Sequence, residues 1–226
     1  MCPLIQHVSK NRSGRDFIVG DIHGAFSKLK ACLDEIHFNS EVDRLFSVGD
    51  MVDRGAESHK VTKWLKKPWF FAVRGNHEQL VIDSFLYAGQ ARKHHQTHGG
   101  EWFYREPPEK RSMIVNRLAK LPLLIELETD QGAIGIVHAD CPINNWQDLK
   151  QEVLPPSPNQ TLIQACQWSR SRVRNAIDQP ISGIHRIIIG HTVVEQPVQL
   201  SNVICIETAG WREGRQFTLL DANRLN

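Results

Sequence analysis

An α/β fold built on a parallel sheet is predicted by two observations. Six short apolar runs, DFIVGD, DRLFSVGD, FFAVRGNHE, AIGIVHAD, RIIIGHT and VICIETAG, each close in a glycine or a polar cluster. Between the first three lie segments with helical periodicity. An apolar, β-branched run that stops in a loop reads as a buried strand. Parallel neighbours need a crossover, usually a helix, so the first half reads as β-α-β-α-β. Open sheets of this kind bind ligands beyond the carboxyl ends of their strands. The polar clusters fall at those ends.

Taken in order, the first helix is the clearest. In AFSKLKACLDEIHF, Phe26, Leu29, Leu33 and Ile36 recur at spacings of three and four and make one apolar stripe. Val61, Trp64 and Leu65 repeat the pattern briefly, and Leu80, Ile82, Phe85 and Leu86 begin a third helix. Residues 87–120 are polar and carry no strand pattern, so helices and loops are expected to cover one flank of the sheet there. Within them, KHHQTHGG places His94 and His98 four apart, yet no carboxylate or cysteine accompanies them and two glycines follow. Solvated surface histidines are expected. LPPSPNQ is a surface loop rather than a boundary, and TLIQACQWSRSRV is helical in pattern.

Length and composition bound the rest. With 226 residues the chain suits one domain, 1–226, with a well-buried core. Its 41% hydrophobic and 23% charged content excludes a mainly disordered chain. A net charge of +2 is too balanced to imply a nucleic-acid or membrane surface, so neither partner is expected, and a monomer is. Cys2, Cys32, Cys141, Cys166 and Cys205 are scattered and never in CxxC spacing, which suggests neither a disulfide framework nor a zinc knuckle. The amino-terminal stretch has no signal-peptide core and no run approaches a membrane span, so a cytoplasmic location is expected.

The chemistry is concentrated in the strand ends. In GDIHG, Asp21 and His23 are two apart on a chain leaving a strand, so both can project the same way while Ile22 points inward. A simple turn would also use Asp and Gly. GDMVDRG repeats the ending at Asp50 and adds Asp53 and Arg54, where Asp53 could equally cap the next helix. GNHEQ has its own plain account: Asn76 as N-cap, Gln79 at the capping-box position, and Glu78 favouring the helix dipole. Coincidence separates these readings. Three successive strand ends, at Asp21, Asp50 and Asn76, and two later ones, at His138 and His191, all carry metal-capable groups directed at one crevice. Carboxylate, amide and imidazole without thiolate suit Mn²⁺, Fe²⁺ or Zn²⁺. Six such groups are too many for one open catalytic ion and suit two ions sharing a carboxylate, roughly 3.5 to 4 Å apart.

GDIHG, GDMVDRG and RGNHE, followed by the two histidines, resemble the signature of the PPP family of metal-dependent serine/threonine phosphatases, in its small bacterial and bacteriophage branch. SVGDMVDRGAE, AVRGNHEQ, HGGEWF and QWSRSRV extend the likeness over most of the chain. The resemblance implies a calcineurin-like metallophosphoesterase fold, its β-α-β-α-β core lying in a β-sandwich flanked by helices. It implies Asp21 and His23 on a first ion, Asp50 as bridge, and Asn76, His138 and His191 on a second, with Mn²⁺ the favoured metal and iron or zinc admissible. It further implies His77 as proton donor oriented by Asp53, and Arg54, Arg74 and Arg170 as phosphate-binding arginines.

Those roles are chemically coherent. Paired divalent ions lower the pKa of a bridging water toward about 7, so hydroxide can attack phosphorus directly. An alkoxide leaves poorly, so a positioned imidazolium is worth on the order of 10² to 10⁴ in rate. Arginine forks suit non-bridging phosphate oxygens. Phosphoproteins carrying phosphoserine or phosphothreonine are the expected substrates, with phosphotyrosine admissible. Hydrolysis of dinucleoside tetraphosphates is the alternative, disfavoured by GNHE in place of GNHD, and a non-catalytic phosphate-binding module is the third reading. Two departures stand out: Val193 in GHTV, where broader metallophosphoesterases place a second histidine, and ETAGW in place of a TGA-like ending.

Overall fold

Strand residues Phe17 and Val19 pack beneath helices, while Ile18 between them faces a second sheet. That alternation explains the continuous apolar runs, because a strand buried on both faces needs no polar side. The computed structural model describes residues 4–225. Its first half comprises β1 (Ile5–Val8), β2 (Asp16–Val19), α1 (Phe26–Glu35), β3 (Arg44–Ser47), α2 (Val61–Trp64), β4 (Phe70–Ala72), α3 (Asn76–Tyr87), α4 (Gly89–Thr97), α5 (Glu101–Tyr104) and α6 (Pro108–Leu118). There follow β5 (Leu124–Thr129), β6 (Gly132–Val137), α7 (Trp146–Val153), α8 (Gln160–Trp168), α9 (Ser171–Arg174), β7 (Arg186–Ile189), β8 (Val198–Leu200), β9 (Val203–Cys205) and β10 (Leu219–Asp221).

The strands form two sheets. In the smaller the order is β10-β2-β3-β4, with β2, β3 and β4 parallel, as the β-α-β-α-β pattern predicts. In the larger it is β1-β5-β6-β7-β9-β8, with β6, β7 and β9 parallel. Ile18, Phe46, Ile136 and Ile188 meet between the sheets. Helices α1, α2, α3 and α6 cover the small sheet, and Trp146, Leu149 and Cys166 of α7 and α8 cover the large one. All side chains just named from the inter-sheet layer are fully buried.

Several details differ from expectation. Strands β1, β5, β8 and β10 have no counterpart among the six runs; β8 and β10 are short and lie at sheet edges, where one polar face is tolerated. Phe85 and Leu86 do not join the buried stripe of α3, being 41% and 59% exposed; Leu80, Val81 and Ile82 carry it instead. Residues 87–120 are helical, as expected, and a break at Ser169 and Arg170 divides the predicted last helix into α8 and α9. Cys2 lies outside the described residues. The other four cysteines are free. Cys141 is a buried filler whose thiol, pushed up to about 12 by burial, donates to the Ile143 carbonyl.

Candidate metal centre

Beyond the carboxyl ends of β2, β3, β4, β6 and β7, six side chains converge. Asp50 Oδ2 lies 3.8 Å from His23 Nε2 and 3.3 Å from His138 Nε2, and Asp21 Oδ2 is 3.9 Å from His23 Nε2. His138 Nε2 is also 2.9 Å from Asn76 Oδ1 and 3.2 Å from His191 Nδ1. No member is more than 5% exposed. Two donor groups result, His23–Asp50–His77 and Asp50–His138–His191, and Asp50 belongs to both.

The backbone is bent to achieve this. His23, Asp50 and His191 all have positive φ, at 42°, 48° and 62°, a conformation that costs a non-glycine residue of order 1 kcal/mol or more. Neighbouring hydrogen bonds hold it: the Asp50 carbonyl accepts the N–H groups of Ile22 and His23, at 3.0 and 2.8 Å. Gly49, at φ 100°, is required because a Cβ there would press on Gly75 N at 2.7 Å. Imidazole orientation is set from behind. His23 donates Nδ1–H to the Val52 carbonyl and His138 donates Nδ1–H to that of Val48, so each presents Nε2 to the centre.

Helix α3 starts differently from the sequence expectation. Gly75, not Asn76, is the N-cap residue, and the capping-box glutamate is Glu78, which accepts Gly75 N–H at 2.9 Å. Asp50 Oδ1, from the loop after β3, accepts His77 N–H at 2.9 Å. Because a remote carboxylate satisfies this helix end, the Asn76 amide is left to face His138.

Charge then tests whether cations fit. Burial holds His23 neutral, its pKa lowered to about 3 and further opposed by His77, and burial with His138 lowers His191 to about 2. His138 goes the other way: burial opposes its charge, but Asp50 and Asp21 push it up to about 9. A proton on His138 thus stands where positive charge is wanted. Asp21 is driven well above the carboxylate range by burial, Glu207 and Asp50. Asp50 is held well below it, because His138 and His77 outweigh its burial. Two neutral imidazoles, a third drawn to the carboxylates, an amide oxygen and crowded buried carboxylates make a donor set that fits a dinuclear divalent-metal site.

Around this cluster lie the other expected residues. His77 Nδ1 donates to Asp53 Oδ2 at 2.7 Å. Exposed Arg54 spans the mouth, its Nη1 lying 2.9 Å from His23 Nε2 and its Nη2 3.1 Å from His77 Nε2, with the guanidinium over the Trp211 ring. Arg170 Nη1 donates to the His191 carbonyl at 3.2 Å. Arg74 lines an adjoining groove of about 490 Å³ with Gln167 and Trp168, and the Trp168 ring is 6.2 Å from that of His191. Val193 is 43% exposed and is in neither donor group.

Residues 17–195 match the model of the calcineurin-like phosphoesterase family. The chain belongs to that family. The phosphoesterase is 32% identical to serine/threonine-protein phosphatase 2 of Salmonella typhimurium over 88% of each chain. It is 35% identical to serine/threonine-protein phosphatase 1 of the same organism, over 96% of this chain and 95% of that one. Likeness to the symmetrical bis(5'-nucleosyl)-tetraphosphatase of Actinobacillus pleuropneumoniae, 31% identical, spans 49% of this chain and 40% of that protein. Among solved structures, a protein provisionally named a diadenosine tetraphosphatase shares the fold at a TM-score of 0.64 and 19% identity, covering 95% of this chain and 91% of that one. A Saccharomyces cerevisiae protein serine/threonine phosphatase does so at 0.63 and 16%, covering 98% and 84%.

Two structural features of this phosphoesterase escaped the sequence reading. Glu78 accepts N–H bonds from Asp50, Met51 and Gly75, at 2.8, 2.7 and 2.9 Å. Glu207, in the atypical ETAGW, accepts from Asp21 N–H at 2.8 Å, Ala209 N–H at 2.9 Å and Trp211 Nε1–H at 3.2 Å. These buried glutamates brace the two carboxylate loops. Burial and the Asp50 charge raise Glu78 to about 7, and burial likewise raises Glu207 to about 7. Glu78 sits in the first turn of a helix, where capping chemistry explains it equally well, and Glu207, two residues past β9, has no partner visible along the chain. The third miss is His95, fully buried in a stretch expected to be solvated; His94 is exposed and His98 half-buried.

Proposed function

We propose that this phosphoesterase is a metal-dependent phosphoprotein phosphatase that hydrolyses phosphoserine and phosphothreonine monoesters, with phosphotyrosine admitted. What carries the substrate class is coverage. Relatives named serine/threonine-protein phosphatase align along at least 88% of the chain, whereas a tetraphosphatase relative aligns along 49%.

In this reading Asp21 and His23 hold one ion, Asn76, His138 and His191 hold the other, and Asp50 joins them. Manganese is our choice of metal, and the same donors suit iron or zinc. Two divalent ions would supply Lewis-acid polarisation of the phosphoryl group and activation of water at neutral pH. Arg54, Arg74 and Arg170 bind the non-bridging oxygens through charged N–H donors that keep their protons throughout. His77 delivers a proton from Nε2 to the departing serine or threonine oxygen, while Asp53 holds Nδ1–H and keeps the ring turned toward the centre.

Purified protein with Mn²⁺ should be offered phosphopeptides and diadenosine tetraphosphate side by side. Higher kcat/KM on phosphopeptides is expected, and preference for the dinucleotide overturns the assignment. No metal-dependent turnover of either, or of p-nitrophenyl phosphate, would leave a binding module. His77→Asn should lower kcat on alkyl phosphates by about 10² to 10⁴, with a smaller loss on aryl phosphates and both metals retained. Because His77 also groups with His23 and Asp50, loss of metal in that variant would reassign it as a ligand. We further read the protein as a cytoplasmic monomer, a compartment in keeping with the free thiols of the four described cysteines. Light scattering at micromolar concentration tests the monomer, and fractionation of the source cells tests the compartment.

A further inference from the structure

We infer that His95 is a positioning residue for the hydrolytic reaction: with Trp102 it clamps one oxygen of Asp53, leaving the other to orient His77. This rests on the reading of His77 as proton donor. Asp53 Oδ1 receives two donors, Trp102 Nε1–H at 2.7 Å and His95 Nε2–H at 3.0 Å, and Oδ2 receives His77 Nδ1–H at 2.7 Å. Asp53 and His95 are fully buried, so no water competes at the carboxylate. Indole N–H can only donate, which fixes Oδ1 as an acceptor whatever the histidines do. Burial disfavours the Asp53 charge, but the His77 and His95 bonds hold its pKa at about 2.

Hydrogen-bond arithmetic behind His95 reinforces the clamp. Ser84 Oγ–H donates to the Val81 carbonyl at 2.9 Å, so its oxygen can accept but has no second proton to give. His95 Nδ1 lies 3.1 Å from that oxygen and 3.0 Å from Tyr104 Oη. A neutral His95 accepts from the Tyr104 hydroxyl; a charged one donates to Ser84. In both states Nε2–H points at Asp53. The surrounding chain is shaped for this ring: a side chain at Gly100 would overlap the His95 imidazole, and Gly99 approaches the loop closely enough for its carbonyl to accept Arg54 N–H at 3.3 Å. The HGGEW stretch therefore forms the back wall of the Asp53–Arg54 loop.

The test compares variants of the manganese-loaded protein on a phosphoserine peptide and on p-nitrophenyl phosphate, whose leaving group needs little protonation. His95→Leu should lower kcat on the peptide about tenfold, as expected for losing one hydrogen bond to a charged group, and leave KM and the aryl rate within about twofold. His95→Gln, which can return an N–H to Asp53, should restore most of the loss. Combined with His77→Asn, His95→Leu should add nothing further, since it acts only through His77. Equal losses on both substrates, a change in KM alone, or multiplicative losses in the double variant would overturn the inference. Should His95→Leu fail to melt cooperatively, Trp102→Phe decides: a leaving-group-dependent loss supports the clamp and an unchanged peptide rate removes it. If His77→Asn itself loses both substrates equally, the proton-donor reading has failed. If His77→Asn is selective and His95→Leu is not, only the clamp has failed.

Discussion

The two sheets contribute to the centre in unlike ways. The four-stranded sheet delivers Asp21, His23, Asp50 and Asn76 from three adjacent parallel strands, zipped together where the Asp50 carbonyl accepts Ile22 and His23 N–H. From the six-stranded sheet come only His138 and His191, at the ends of β6 and β7. The first half is a product of local β-α units; the second must be registered against it across the inter-sheet core. Among the bonds that make that registration are His138 Nδ1–H to the Val48 carbonyl at 2.8 Å, His191 N–H to Asp21 Oδ1 at 3.1 Å, and Asp21 N–H to Glu207 at 2.8 Å. A site split between sheets is thus only as exact as the stitches between them.

The largest expected effect comes from the one residue both halves share. Asp50→Asn keeps an oxygen for His77 N–H but removes the charge, and should cost at least about a hundredfold in activity, with metal stoichiometry falling below two by elemental analysis. Retention of two ions and near-normal turnover would show that neither half depends on that charge. A cut between the sheets comes next. Glu207→Gln leaves one acceptor oxygen where two are used, and should weaken metal affinity about 10- to 100-fold in a chelator competition while thermal stability drops by about 1 to 3 kcal/mol. An equal stability loss with unchanged metal affinity would make Glu207 a packing residue and detach the large sheet from metal retention.

The smallest effect lies wholly within the four-stranded half. Helix α1 has no side-chain cap of its own, and Glu57 supplies one, accepting Ser27 N–H and Ser27 Oγ–H, each at 2.6 Å, and pairing with Lys60. Burial opposes its charge, yet the Lys60 and Ser27 bonds depress its pKa to about 2, below the usual 4.5. A depressed carboxylate stabilises the fold above its unfolded value and loses that contribution as pH falls from 4.5 toward 2. Glu57→Gln should cost about 1 kcal/mol at neutral pH, discounted for its partial exposure, and flatten that acid-side slope in denaturant titrations. An unaltered slope would place the acid dependence among the buried carboxylates of the centre instead.

Legibility followed the same division. Each of the six quoted runs is a strand, and Asp21, Asp50 and Asn76 could be placed at successive strand ends because a β-α unit puts its loop where its spacing dictates. His138 and His191 could be suspected from VHAD and IGHT, but their distance to Asp50 is a fact of sheet packing. Where several chemistries share a residue type, pattern failed. KHHQTHGG held no visible partner for His95, because Asp53 lies 42 positions away. Asn76 read as a helix cap until Asp50 took that duty from the loop after β3.

From sequence alone came the β2-α1-β3-α2-β4 order, the side chains able to bind metal, and the family those motifs resemble. Such features depend on neighbours along the chain, where alternation and turn chemistry leave little freedom. Tertiary structure alone decided which carboxylate is shared, which ring nitrogen each histidine presents, and which buried acids, Glu78 and Glu207, hold the loops in strained conformations. These are settled by hydrogen bonds between residues up to 186 positions apart, and a one-dimensional pattern holds no measure of such distances.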